Sequence, residues 1–137
     1  MPERHVLEEL HVREFRIGGT WIEAQFDRTY QSAMLNSPSH LTFIAALVQM
    51  QKLTYVYACN RLGLNADVHA AEALKVWPTS LSISLRDMVV DEKALVQRIE
   101  FTEFRKLSRN KFHAKARSEV GPIAIDATAM IIVIGEA

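Results

Sequence analysis

The chain is poor in the residues that build the most easily recognised kinds of site. It has one cysteine, Cys59, which excludes an intrachain disulfide and a cysteine-rich metal site. Its five histidines are scattered and show no metal-ligand spacing. Its five glycines form neither a phosphate-binding loop nor a G-x-S-x-G turn. The sequence therefore predicts no metal and no cofactor, and a buried Cys59 that packs rather than reacts.

An excess of charge of either sign is also lacking. Sixteen basic and sixteen acidic residues cancel, so nothing in the balance favours nucleic acid or an anionic membrane as a partner. The first residues contain no apolar signal-peptide core, and with a single cysteine this predicts a cytoplasmic protein. A length of 137 residues predicts one domain, 1–137.

One long apolar segment dominates what is present. It runs from about His40 to Leu62 and predicts a helix, with Ser37-Pro38 as its start and Gly63 as its end. Polar residues interrupt it too often for a membrane span: Gln49, Gln51, Lys52, Asn60 and Arg61. A helix that is apolar on nearly every side must be covered on nearly every side, and a sheet is the cover that a short chain can supply.

Most of the remaining chain has the alternating pattern of strands. Alternation predicts strands at 20–26, 81–86, 95–104 and 111–117, and 123–134 is predicted as a central strand because it is apolar on both faces. Residues 3–14 predict a short amphipathic helix or arm, and 28–36 a loop or short strand. Residues 65–77 predict a short helix and then an extended segment, with Pro78 separating it from the next strand. The predicted fold is α+β: a hot-dog fold, with an antiparallel sheet of five or six strands wrapped around one long central helix.

Three stretches resemble the FcoT-like hot-dog family, which includes long-chain fatty acyl-CoA thioesterases. WIEAQFD (21–27) resembles its first strand, SHLTFIAALVQMQKLTY (39–55) its central helix, and FRKLSRNKFHAKA (104–116) its hairpin. The resemblance implies an acyl-CoA or acyl-carrier-protein substrate and at least a homodimer with sites between subunits. The sequence departs from the family in having Met34, Thr42 and Gln51 where the family has a tyrosine and two asparagines.

Thioester chemistry needs a polarised carbonyl and an activated nucleophile. His40 lies at the predicted helix N-terminus, where free amides favour an oxyanion, and it is predicted to orient the thioester or act as general base. The alternative is a histidine that only caps the helix. Gln51 and Tyr55 are four residues apart on one helix face and are predicted to hold a carbonyl or a water, or else to bond to neighbouring backbone. The predicted substrate contacts near them are Tyr30, Met34 and Thr42.

Basic residues cluster in the predicted hairpin: Arg105, Lys106, Arg109, Lys111, Lys115 and Arg117. They suit the phosphates of coenzyme A or an acidic carrier protein, and Arg105, Lys106 and Arg109 are predicted to bind substrate; an ordinary charged hairpin is the competing interpretation. Asp126, in the apolar last strand, is predicted to pair with Arg98, Arg117 or a partner subunit. Gln49 and Lys52 are predicted to mark a solvated or interfacial edge.

The predicted function is hydrolysis of an acyl thioester, in fatty acid or polyketide metabolism. Within the same substrate class, the alternative is dehydration, hydration or conjugate addition on an enoyl or hydroxyacyl thioester. A non-catalytic acyl-binding or scaffold protein is the alternative from another class, and Met34 in place of a tyrosine favours it because a thioether cannot donate a hydrogen bond.

Overall fold

The chain forms an antiparallel sheet with a helix packed on one face. A computed structural model describes residues 6–32, 43–64, 73–89 and 93–134. In these ranges the elements are β1 (Val6–Ile17), β2 (Trp21–Ser32), α1 (Phe43–Leu62), β3 (Leu74–Leu85), β4 (Leu95–Ser108), β5 (Lys111–Val120) and β6 (Ile123–Val133). The six strands lie in the order β1-β2-β4-β5-β6-β3. The predicted antiparallel sheet with one long helix is confirmed.

The first strand corrects the prediction of a helix or arm at 3–14. β1 pairs with β2 along its length, from Val6 opposite Ser32 to Ile17 opposite Ile22. Nearly all of its described side chains are at least partly exposed, so no buried face imposes a period of two on its sequence. Backbone pairing with β2 decides the conformation, and the helix-like spacing is incidental.

Two further boundaries differ from the prediction. β2 continues through Arg28 to Ser32, so the first part of the 28–36 segment is strand. Pro78 lies inside β3 and does not separate two elements; the register with β6 shifts between Pro78 and Ser80. A proline is tolerated there because β3 has only one neighbouring strand in the described sheet. The helix predicted within 65–77 falls on 65–72, outside the described residues.

The C-terminus of α1 is as predicted. Gly63 has a φ of 70°, a conformation that glycine adopts without steric cost. The turn is closed by the Leu64 amide, which donates to the Cys59 carbonyl over 2.7 Å. The predicted start at Ser37 and Pro38 lies outside the described residues.

The sheet covers one face of α1 and leaves another open. Ala46, Met50, Leu53 and Tyr57 are buried against it. On the other side, in the N-terminal half of the helix, apolar side chains remain exposed: Phe43 by 39%, Ile44 by 59% and Val48 by 48%. The described residues of one chain therefore leave this apolar helix incompletely covered.

Tyr57 fixes the C-terminal half of α1 to the sheet. Its ring stacks on Phe101 with centroids 3.9 Å apart and planes 9° apart. Its hydroxyl donates to the Gly19 carbonyl over 2.7 Å and accepts from Arg61 over 2.9 Å. The Arg61 guanidinium also lies 4.7 Å from the centre of the Phe104 ring. These contacts hold the helix, the β1–β2 turn and β4 together.

The face of the sheet away from α1 carries paired charges. Glu23 accepts from Arg16 over 2.5 Å and from Arg98 over 3.5 Å. The Arg16 hydrogen bond is the main reason why the pKa of Glu23 lies below its ordinary value. Arg117 donates to Asp126 over 2.7 Å, which confirms one of the predicted partners of Asp126. Such exposed pairs contribute little to stability, and they mark this face as solvated.

Candidate functional site

An open apolar groove lies between α1 and the β3 side of the sheet. Its volume is about 430 Å³, including the solvent at its mouth. Four alanines form its floor: Ala114 and Ala116 on β5, and Ala127 and Ala129 on β6. Ala114 lies opposite Ala129 and Ala116 opposite Ala127, so the four methyl groups form a two-by-two block on one face. The roof is supplied by the helix residues Leu47, Met50, Gln51 and Thr54.

Larger side chains border this block along both strands. On one side the next inward-facing pair is Ser118 with Ile125, and on the other it is Phe112 with Ile131. Ile125 and Ile131 are buried, at 1% and 0% exposure. The groove is therefore a local depression, created because alanine occupies four adjacent inward positions.

Across the strands, the groove is closed at one side and open at the other. Phe101 on β4 lines the closed side and is only 5% exposed. Pro78 and Leu81 on β3 line the other side, where Leu81 is 44% exposed. The mouth therefore faces the edge of the sheet that β3 forms.

The lining can hold an apolar group and offers few polar atoms. Among the described residues that line the groove, none is charged, and the polar ones are Gln51, Thr54 and Thr128. The Thr128 hydroxyl is within 2.8 Å of that of Thr79 and within 2.5 Å of that of Ser80. Gln51 is exposed, so its amide is the polar group available to a ligand at the mouth.

The structure separates the two helix residues that sequence analysis grouped. Gln51 lines the groove, whereas Tyr55 does not contribute to the described lining. The Tyr55 hydroxyl accepts from the Ala73 amide over 3.0 Å, just before β3. Nearby, burial raises the pKa of the Cys59 thiol. Cys59 is thus a packed thiol, as predicted.

The three predicted basic residues lie apart from the groove. Arg105, Lys106 and Arg109 are exposed near the end of the β4–β5 hairpin and do not line it. Arg105 lies 3.6 Å from Glu103, which also contacts His113. The His113 hydrogen bond is the main cause that lowers the pKa of Glu103. This end of the hairpin is a charged surface that remains accessible to a partner.

Among the remaining predicted site residues, the structure describes only the backbone of Tyr30. His40, Thr42 and Met34 lie outside the described residues. Tyr30 lies in β2 with its backbone opposite Glu8. Their proposed roles therefore depend on the sequence.

A buried amide network that the sequence did not reveal lies under the N-terminal half of α1. Gln49 donates through Nε2 to Oε1 of Gln97 over 2.7 Å. Nε2 of Gln97 donates to the Ala46 carbonyl over 3.0 Å and to Oγ of Ser118 over 2.7 Å. Gln49 is 5% exposed and bonded within its own chain, so its predicted place at a solvated or interfacial edge is wrong. The available signal was Gln97, which occupies an inward position between the apolar residues Leu95 and Ile99.

The fold can now be compared with those of known proteins. No protein-family model matches the sequence, and no curated protein sequence matches it. Solved structures do match. Thioesterase HI1161 from Haemophilus influenzae has a TM-score of 0.55 and 14% identity, over 94% of this chain and 80% of that one. A Q49A mutant of thioesterase PA1618 from Pseudomonas aeruginosa has a TM-score of 0.54 and 9% identity, over 91% and 82%.

A third match is a hypothetical thioesterase from Streptococcus pneumoniae TIGR4, solved with coenzyme A. Its TM-score is 0.50 at 11% identity, over 95% of this chain and 90% of that one. The chain has the hot-dog fold. At such identities the likeness is one of fold, and membership of the FcoT-like family stays a prediction.

The described residues contain neither a membrane-spanning helix nor a cluster of metal-binding side chains. Across 6–32, 43–64, 73–89 and 93–134, no helix has the length and apolarity needed to cross a membrane. In the same described segments, no three histidine, cysteine or acidic side chains lie close enough to hold a metal ion.

Proposed function

We propose that this hot-dog protein hydrolyses an acyl thioester of coenzyme A or of an acyl carrier protein. The observation that carries the proposal is the groove, which is apolar, uncharged along its described lining, closed at Phe101 and open at the β3 edge. Such a site suits the aliphatic part of a thioester and leaves its polar head at the mouth. The similar folds of two thioesterases, and of a hypothetical thioesterase solved with coenzyme A, support it.

The proposed chemistry is attack of water on the thioester carbonyl. The acyl chain occupies the groove, and the Gln51 amide, at its mouth, donates to the carbonyl oxygen or holds the water. His40, three residues before Phe43 in the sequence, accepts a proton from the water as its oxygen bonds to the carbonyl carbon. The tetrahedral intermediate then breaks its C–S bond, and the imidazolium returns the proton to the departing thiolate.

The other predicted residues have supporting roles in this proposal. Tyr55 holds the start of β3 through Ala73, and so positions one wall of the groove. Tyr30, Met34 and Thr42 contact the substrate around the thioester. Exposed basic groups of the hairpin bind the phosphates of coenzyme A or the acidic surface of a carrier protein: Arg105, Lys106 and Arg109.

Thiol release from a panel of acyl-CoA and acyl-carrier-protein thioesters tests the proposal. We expect the intact protein to release free thiol and carboxylic acid in equal amounts. Mass spectrometry of enoyl and hydroxyacyl thioesters runs in parallel. A change in substrate mass without thiol release would replace hydrolysis with chemistry at the β-carbon. Binding without either change would point to an acyl-binding or scaffold protein.

We also propose that two copies of the chain pair through β3. In the described sheet β3 has a strand on one side only, and Lys75 is its single charged residue, so little charge opposes pairing along most of its length. The groove opens at this edge, and exposed Phe43, Ile44 and Val48 lie on the helix that forms its roof. A second copy would complete both the sheet and the mouth of the groove.

Sedimentation velocity measures this pairing directly. We expect the protein to sediment at twice its chain mass of 15.5 kDa, and Leu81→Lys to shift it to the mass of one chain because the lysine places a charge in the interface. Val12→Lys on β1 is the matched control, since Val12 is 45% exposed and Leu81 44%. A wild-type protein of single-chain mass, or equal shifts in both variants, would contradict pairing through β3.

A further inference from the structure

We propose that Phe101 sets the upper limit on the length of the acyl chain, and that the small alanine side chains of the floor leave the space that this chain occupies. The substrate class is then a medium-chain acyl thioester, and the distances between neighbouring strands give it a length of about eight to eleven carbons. This inference rests on the proposed function, because it takes an acyl chain as the occupant of the groove.

The length limit follows from strand spacing. From β3 at the mouth to β4 at the closed side there are three steps between neighbouring strands, β3 to β6, β6 to β5 and β5 to β4. At about 4.8 Å a step, the distance is about 14 Å. An extended chain of C–C bonds of about 1.5 Å advances about 1.3 Å per carbon, so about eleven carbons span it. The Phe101 side chain occupies part of that distance, which lowers the limit toward about eight.

Phe101 resists displacement because Tyr57, which stacks on its ring, is itself held in place. Tyr57 stacks on its ring at 3.9 Å, and Tyr57 is itself bonded to the Gly19 carbonyl and to Arg61. A longer chain could displace Phe101 only by breaking this aromatic stack or moving the C-terminal half of α1. An unsupported side chain such as a flexible methionine would yield more easily.

The alanine floor gives the groove its depth. The rows that border the block, Phe112 with Ile131 and Ser118 with Ile125, are six residues apart on each strand and therefore about 20 Å apart. Between them only methyl groups project from the floor, which leaves the space for an acyl chain. Ala127 is only partly buried, so extra carbons at this position enter the groove and not the core. Its size is therefore a second determinant of acyl length.

Equilibrium binding separates this inference from the question of hydrolysis. The probes are saturated S-alkyl coenzyme A thioethers of about four to sixteen carbons, which keep the alkyl chain and coenzyme A of a substrate, lack its carbonyl and cannot be hydrolysed. In the wild type we expect the Kd to fall by about fourfold for each added carbon and to level off at about eight to eleven carbons. We expect Phe101→Ala and Phe101→Leu to move this break to longer chains, and Ala127→Leu to move it to shorter ones.

Phe104→Leu is the matched control. Phe104 packs edge-on against Tyr57 at 5.9 Å and belongs to the same aromatic cluster, but it does not line the groove. We expect it to lower stability and keep the break of the wild type. Phe101→Leu keeps more of the core filled than alanine does, so the test does not depend on the larger truncation.

Each result bears on one claim. A break that stays at the same length in Phe101→Leu and Ala127→Leu would overturn the inference, even for a protein that releases thiol. Failure of every thioether to bind would overturn it as well. Breaks that move as expected, in a protein that releases no thiol, would support the length limit and contradict hydrolysis.

Discussion

His40→Ala is expected to lower kcat/KM for thioester hydrolysis by about 10²- to 10⁴-fold, the usual contribution of a positioned general base. The alanine cannot accept the proton of the attacking water. Substrate binding is expected to change little, because the acyl chain is held by the groove between α1 and the sheet. Steady-state thiol release with a saturating and a limiting acyl-CoA separates kcat from KM.

His11→Ala is the control for this result. His11 is exposed on β1, where its Nε2 lies 3.1 Å from the Thr29 hydroxyl, and nothing places it near the groove. We expect this variant to hydrolyse thioesters at the wild-type rate. Hydrolysis by His40→Ala at the rate of the His11→Ala control would remove His40 from the mechanism. Circular dichroism of both variants excludes unfolding as the cause.

The second large effect is expected in stability. Gln97→Leu should lower the free energy of unfolding by about 2–4 kcal/mol, because it leaves the buried amide of Gln49 and the hydroxyl of Ser118 without the partner they now share. A buried polar group that loses its partner costs about 1–3 kcal/mol. Chemical denaturation monitored by tryptophan fluorescence measures the change.

A double variant isolates the amide pair. Gln49→Leu/Gln97→Leu removes both amides at once and should destabilise the protein by less than the sum of the two single variants. Gln25→Leu is the control, since Gln25 lies on β2 and faces away from the helix, where no such network exists among the described residues. A Gln97→Leu protein within about 0.5 kcal/mol of the wild type would show that the network does not stabilise the fold.

Much of the fold could be predicted because local pattern and tertiary role agree. The apolar run before Gly63 specifies α1 and its end, the alternating residues of β4 and β5 specify strands with one inward face, and β6 is specified by its apolar residues on both faces. β1 could not be predicted this way, because a mostly exposed edge strand has no buried face to give its sequence a period of two. Pro78 was misjudged for a related reason: it is a strand breaker inside a sheet and tolerated at its edge.

The candidate site was harder to predict than the fold. Gln51 was identified, since a polar residue on an apolar helix is conspicuous in sequence. The alanine floor depends on the register of β5 against β6, which places Ala114 opposite Ala129. The end wall depends on the stack of Tyr57 on Phe101, a contact between residues far apart in the chain. Such pairings arise only when the sheet has formed, and no spacing within one segment encodes them.

The two adjacent glycines of the first turn should differ in their tolerance of change. The acceptor that fixes Tyr57 is the main-chain oxygen of residue 19, which persists whatever side chain stands there, and a Cβ at Gly19 would meet no atom within 4 Å. At Gly18 a Cβ would lie 2.2 Å from the Trp21 indole. A side chain at position 19 should therefore leave the Tyr57 hydrogen bond intact, whereas a side chain at position 18 would clash with the Trp21 indole. The support of the Phe101 ring thus depends on the backbone of residue 19 and not on its identity.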